Sequence, residues 1–111
     1  MIDPMSQMRK GTTAWIVLAA MREHGEAYGY GLRRAVFDVS QGLLPIKEGS
    51  LYPLLHVMER GRLIQSRQRK VNGRWRHYYH ITDRGRRTLT DCARQWKLLH
   101  SVLDKLGCHR V

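Results

Sequence analysis

Between positions 60 and 87 the chain carries Arg60, Arg62, Arg67, Arg69, Lys70, Arg74, Arg76, Arg84, Arg86 and Arg87, half of its 20 lysines and arginines, against the single acid Asp83. All but Lys70 are arginine, whose planar guanidinium presents paired N–H donors to phosphate oxygens or to the O6/N7 edge of guanine. Such a concentration suits a polyanion. Over the 111 residues, 20 basic against 9 acidic side chains leave a formal charge of +11, which composition alone assigns equally to nucleic acid or to an anionic membrane surface.

Other chemistry finds little material. The six histidines (His24, His56, His77, His80, His100 and His109) form no HxxxH pair and no Cys/His cluster on one face. Cys92 and Cys108 make neither a CxxC knuckle nor a secreted disulfide framework, and fit a reducing compartment. Cys92 and His100 lie about two turns apart on one helix, where a core cysteine is the simpler reading than a metal ligand. No metal and no cofactor is therefore expected. There is no Ser/His/Asp set, HExxH motif or phosphate-cradling glycine loop, and nine acids offer little for acid–base work, so the chain is not expected to be an enzyme. No run approaches the roughly 18 apolar residues of a membrane span, and Met1 to Lys10 has no basic stretch leading into an apolar core, so a cytoplasmic protein is expected.

The elements that must position the arginines follow from periodicity. Met8 to His24 reads as a buried first helix, apolar on most sides, stopped by Gly25 and followed by a short turn. Tyr28 to Val39 places Leu32, Ala35, Val36 and Val39 at helical spacing. Lys47 to Gly61 places Leu51, Leu54, Leu55 and Met58 on one stripe, with Tyr52 and His56 on a different face. Pro53 is tolerable only in a first turn, so the regular helix is expected to begin near Ser50, capped by it, and to close at Gly61. Leu63 to Lys70 and Arg74 to Ile81 flank Asn72-Gly73, the strongest short-range signal for a β-hairpin. In its second arm Trp75, His77, Tyr79 and Ile81 should form a packing face, and Arg74, Arg76, Tyr78 and His80 a cationic one. Thr82-Asp83 then caps a last helix in which Leu89, Cys92, Trp96, Leu99, Val102 or Leu103, and Leu106 recur as a heptad seam. At about 25 residues that helix reaches roughly 37 Å, more than a small domain can cover, so a homodimer is expected.

Three helices and a basic hairpin give a mainly α fold with a small β-hairpin. This is a winged helix-turn-helix over residues 1–81 with a long C-terminal dimerisation helix over 82–111, together one compact domain. Double-stranded DNA is the partner that architecture suits, with Ser50, Tyr52 and His56 entering the major groove and the wing straddling the backbone. A membrane-surface protein would carry its cations along an amphipathic helix instead. The alternative is a winged-helix module that docks RNA or a protein, with no specific operator.

Tyr28-Gly29-Tyr30, then Glu48-Gly49-Ser50-Leu51-Tyr52-Pro53-Leu54-Leu55, then Met58 to Ile64, and finally Tyr78-Tyr79-His80-Ile81-Thr82-Asp83-Arg84-Gly85 resemble the PadR family of bacterial transcriptional regulators. The likeness runs in order from about Met8 to Leu106, and the single C-terminal helix is similar to the short subgroup. It implies a dimeric repressor released from an operator by a small phenolic or planar hydrophobic effector. Carried onto this chain, it implies DNA contacts at Ser50, Tyr52 and His56 and in the basic wing Arg67, Arg69, Lys70, Arg74 and Arg76. Lys47 stands where many relatives have a capping hydroxyl and adds a cation near the DNA. Trp96 matches a tryptophan that, in multidrug-responsive relatives, stacks on drugs between subunits. Met8, Trp15, Ala93 and His100 are further candidates to line that space. The seam is compatible with either arrangement: an indole holding two helices apart, or one packed in a closed interface.

Overall fold

The computed structural model describes residues 4–108, with side chains from residue 11 onward. In chain order the elements are α1 (Pro4–His24), β1 (Ala27–Tyr28), α2 (Gly29–Val39), α3 (Glu48–Arg60), β2 (Ile64–Val71), β3 (Arg74–Ile81) and α4 (Asp83–Lys105). The strands form one antiparallel sheet in the order β1-β3-β2. Helices with a small sheet were expected, but the sheet has a third strand. The presumed short turn after Gly25 contains β1, which pairs Ala27 with Tyr79 and Tyr28 with Tyr78 and makes β3 the central strand.

Six elements supply one core. Val17, Leu18 and Met21 come from α1, Leu32 and Val36 from α2, Leu51, Leu55 and Met58 from α3, Ile64 from β2, Tyr79 and Ile81 from β3, and Leu89 from α4. The last of these corrects an expectation. Leu89, placed by periodicity in an interchain seam, is only 2% exposed within its own chain, because α4 packs its first turns on the core before it overhangs.

The start of α3 differs from the sequence reading. The helix begins at Glu48 with Lys47 at the N-cap, and no side chain caps it. Ser50 is inside the first turn, its N–H donating to the Lys47 carbonyl at 3.0 Å. Pro53 therefore lies in the helix interior, where it cannot donate to the Gly49 carbonyl, and exposure of Gly49 leaves that carbonyl open to water. At the other end Gly61 closes the helix as expected, as its C-cap with an ordinary φ of −77°, and the left-handed residue is Arg62 at +63°. Arg62 N–H donates to Glu59 and Leu63 N–H to Met58, both at 3.0 Å, the two bonds of a Schellman motif. Arginine occupies the position glycine normally takes.

The hairpin turns on Asn72 and Gly73, whose φ values of +52° and +78° are what a two-residue primed turn needs. Its expected packing face holds only at the base. Tyr79 and Ile81 are buried, whereas Trp75 is 66% exposed and His77 is also exposed, because the ribbon runs beyond the helices that would cover them. Immediately after β3, Thr82 N–H donates to the Leu63 carbonyl at 3.0 Å, and the Thr82 hydroxyl proton is shared between the carbonyls of Arg62 and Leu63. That same hydroxyl oxygen accepts from Gly85 N–H at 3.0 Å and so caps α4 as expected. A Cβ at Gly85 would collide with the Leu63 carbonyl and lie 2.6 Å from Ile81 Cγ1.

Gly85→Ala should accordingly lower the unfolding free energy by about 2–3 kcal/mol through overpacking against backbone. Arg62→Gly should raise it by about 0.5–1 kcal/mol by relieving the left-handed side chain. Urea denaturation of each variant checks both signs.

Candidate nucleic-acid interface and ligand cleft

Because α3 turns Leu51, Leu55 and Met58 into the core, Gly49, Ser50, Pro53, His56, Val57 and Arg60 are left on an exposed stripe. Lys47, at the N-cap, is exposed as well. Tyr52, 36% exposed, also touches a second element. A Cβ on Gly29 would come within 2.5 Å of its hydroxyl oxygen, so the ring spans from α3 to the start of α2 and is a spacer between them. Burial first, then the charges of Glu59 and Tyr52, push the Tyr79 phenol above its ordinary value, which places these three side chains around one point. Glu59 also accepts from the N–H and hydroxyl of Ser66, fastening the end of α3 to β2. Sequence alone does not show that Pro53 and Val57 share this exposed stripe. An apolar residue beside a buried stripe looks like more core until packing shows it uncovered.

Strand register sorts the wing into two faces. On the core side lie Ser66 opposite Tyr79, Gln68 opposite His77 and Lys70 opposite Trp75. On the outer side lie Arg67 opposite Tyr78, Arg69 opposite Arg76 and Val71 opposite Arg74, with Tyr28 of β1 beside Tyr78. The expected wing cations are thus divided between faces.

Three of them already have partners. Arg67 Nη2 donates to Glu26 Oε2 and Arg69 Nη1 to Glu26 Oε1, each at 2.7 Å. To reach the carboxylate, Arg69 lies over the Tyr78 ring with its guanidinium carbon 4.9 Å from the centroid, and Arg76 lies over Tyr28 at the same distance. The two rings meet edge to face at 5.8 Å. Lys70 and Arg74, at the tip, are exposed and have no hydrogen-bond or ion-pair partner among the described residues. Glu26 drew no attention in the sequence, since a lone acid forty-three positions from Arg69 carries no local signal.

Trp15 of α1 and Trp96 of α4 lie 5.9 Å apart, tilted by 56°. A cleft of about 650 Å³ on one side of the pair is lined by Ile16, Ala19, Leu43, Leu44, Leu89 and Ala93 as well. Another of about 600 Å³ on the other side includes Cys92, Gln95 and Leu99. Trp15, Ala93 and Trp96 are therefore brought together as expected. His100 is exposed farther along α4 and lines neither cleft, and the side chain of Met8 falls outside the described residues. A third cleft of about 710 Å³ beside the start of α3 includes Lys47, Ser50 and Leu54, and shares Ile16, Leu43 and Leu44 with the first. Arg33 Nε, donating to the Ile46 carbonyl at 2.8 Å, anchors the loop between them. Among the described residues no group of three His, Cys, Asp or Glu side chains could hold a metal, and no helix is long and apolar enough to cross a membrane.

Comparison with known proteins agrees with this geometry. The profile of the transcriptional regulator PadR-like family matches residues 17–91. A PadR family transcriptional regulator from Eggerthella lenta superposes with a TM-score of 0.82 at 33% identity, over 92% of this chain and 87% of that one. A transcriptional regulator from Clostridium thermocellum gives 0.81 at 26% identity, over 89% and 96%. In sequence, a transcriptional regulator of Mycobacterium tuberculosis is 45% identical over 49 residues, 44% of this chain and 46% of its own length.

The two arginines beside Glu26, with hydrogen bonding from Arg69 the largest influence and that from Arg67 next among the lowering ones, hold its carboxyl below the ordinary 4.5. A carboxylate depressed in the folded state contributes stability above its unfolded pKa and loses it as pH falls through the folded value. Carboxyl-carbon NMR titration should give Glu26 a midpoint below 4.5. Replacing Arg67 and Arg69 by glutamine should return it towards that value.

Proposed function

The chain belongs to the PadR-like family of transcriptional regulators, and from that premise we propose that it is a homodimeric repressor. In this reading it binds an inverted-repeat operator in double-stranded DNA and is released by a small aromatic or planar hydrophobic ligand. It is a regulator, not an enzyme. The observation that carries the reading is the exposed stripe on α3 beside a wing whose tip cations have no side-chain partner among the described residues.

The division of labour follows from chemistry. Ser50 and His56 supply groups that hydrogen-bond base edges, and Pro53 and Val57 supply apolar contact for a thymine methyl. Lys47, Lys70 and Arg74 supply sequence-independent phosphate contacts, and Arg67, Arg69 and Arg76 are a second set of wing cations behind the tip. Tyr52, exposed yet braced against Gly29, is the remaining DNA contact on α3. In this reading residues 1–81 are the DNA-binding unit, and α4, within 82–111, is the dimerisation helix.

Pairing of two chains is supported by α4 itself. Leu98, Leu99, Val102, Leu103 and Leu106 are exposed over its last turns, an uncovered apolar stripe continuing past Cys92 and Trp96. Two such chains related by a twofold axis would present their α3 helices about one DNA turn, roughly 34 Å, apart. The paired indoles of Trp15 and Trp96 offer flat apolar faces to an aromatic effector.

His56→Ala should reduce discrimination between the operator and a scrambled duplex by about tenfold, as expected for one lost base contact. Lys70→Ala and Arg74→Ala should weaken binding to both duplexes alike, each lowering the salt slope by about one. Titrations between about 50 and 200 mM salt read both quantities, and an equal loss on both duplexes for His56→Ala would remove α3 as the reading element. Trp96→Ala should weaken binding of a planar aromatic dye about tenfold by calorimetry while sparing operator affinity. Unchanged dye affinity would take Trp96 out of the site.

A further inference from the structure

We propose that Glu26 is an intramolecular substitute for DNA phosphate, a brake that occupies Arg67 and Arg69 and limits the sequence-independent affinity of the wing. The inference rests on the DNA-binding reading above and concerns a residue outside α3 and the hairpin.

Three observations lead to it. First, Glu26 Oε1 and Oε2 each take one guanidinium at 2.7 Å, so both carboxylate oxygens are committed to wing arginines. Carboxylate and phosphate oxygens compete for the same donors, and two anions on one guanidinium repel each other. Second, the side chains of Arg67 and Arg69 remain 64% and 52% exposed, while that of Glu26 is only 20% exposed. The arginines are therefore free to exchange partners, whereas the acid stays in place. Third, Arg69 lies over Tyr78 and Arg76 over Tyr28, so the rings form a floor on which these guanidiniums rest. Positive charge is thereby drawn toward β1 and off the tip, where Lys70 and Arg74 have no side-chain partner among the described residues.

The fold shows why Glu26 occupies this place. It immediately precedes β1, and the pairing of Tyr28 with Tyr78, itself opposite Arg67, sets that end of β1 against the outer face of the hairpin. A purely architectural role, fastening β1 to the wing, predicts the opposite sign on DNA from a brake: losing a fastener loosens the wing and weakens binding, whereas losing a competitor strengthens it.

The test uses the full chain, a random-sequence duplex and an enriched operator duplex, with Kd measured as a function of salt. Glu26→Gln keeps the size and one acceptor but removes the charge. It should tighten random-duplex binding about tenfold near 100 mM salt and steepen the dependence of log Kd on log salt by about one to two, at about 0.9 per phosphate engaged. Adding Arg67→Gln and Arg69→Gln to that variant should erase the gain, while the same pair in the wild-type background costs much less. Binding that is unchanged or weaker in Glu26→Gln overturns the brake. Should Glu26→Gln not fold, the arginine pair alone decides: in the presence of Glu26 it must change the salt slope by less than about one, and a larger change overturns the proposal. A wild-type chain that binds neither duplex overturns the DNA-binding reading instead.

Discussion

The carbonyl oxygen of Leu63 joins the parts of this molecule that must keep a fixed relation. It follows the left-handed turn that ends α3, stands at the entry to β2, accepts from the backbone and hydroxyl of Thr82 at the exit from β3, and approaches Gly85 in the first turn of α4. Any Cβ at position 85 would force these elements apart. Helix, wing and C-terminal helix are thus set relative to one another by one acceptor and one missing side chain. The hydrogen bonds from Ser66 to Glu59 reinforce the junction on the side of α3.

Much of the fold is legible in the sequence because its signals are local. Asn72-Gly73 specifies the hairpin, Gly25 the end of α1, and Thr82 with Gly85 the start of α4. What is not legible depends on partners distant in the chain. β1 is two residues long and has no periodicity to detect; only β3 makes it a strand. Alternation correctly assigns Trp75 and Tyr79 to one face of β3, but where the core stops along that face is set by the length of the covering helices. Pro53 does not mark the start of α3, because exposure lets the helix tolerate it in its interior.

The candidate site shows the same division. Its cations could be counted from the sequence, and their total of 20 is fixed there. Their availability is a property of the fold, which pairs two with Glu26, lays one over Tyr28 and leaves two at the tip. Tyr52 makes the point from the other direction, since a polar aromatic at a reading position is held by contact with Gly29. Net charge describes the attraction of this chain for polyanions at long range. The pattern of internal pairing describes what remains to be used at contact.

Ile16, Leu43 and Leu44 separate the cleft at Trp15 and Trp96 from the cleft at Lys47 and Ser50. They form a wall common to both, and Leu43, 77% exposed, leaves that wall open to solvent. The wall of the tryptophan cleft and the footing of the first turn of α3 are then one set of methyl groups, so that a substitution at any of the three reshapes both.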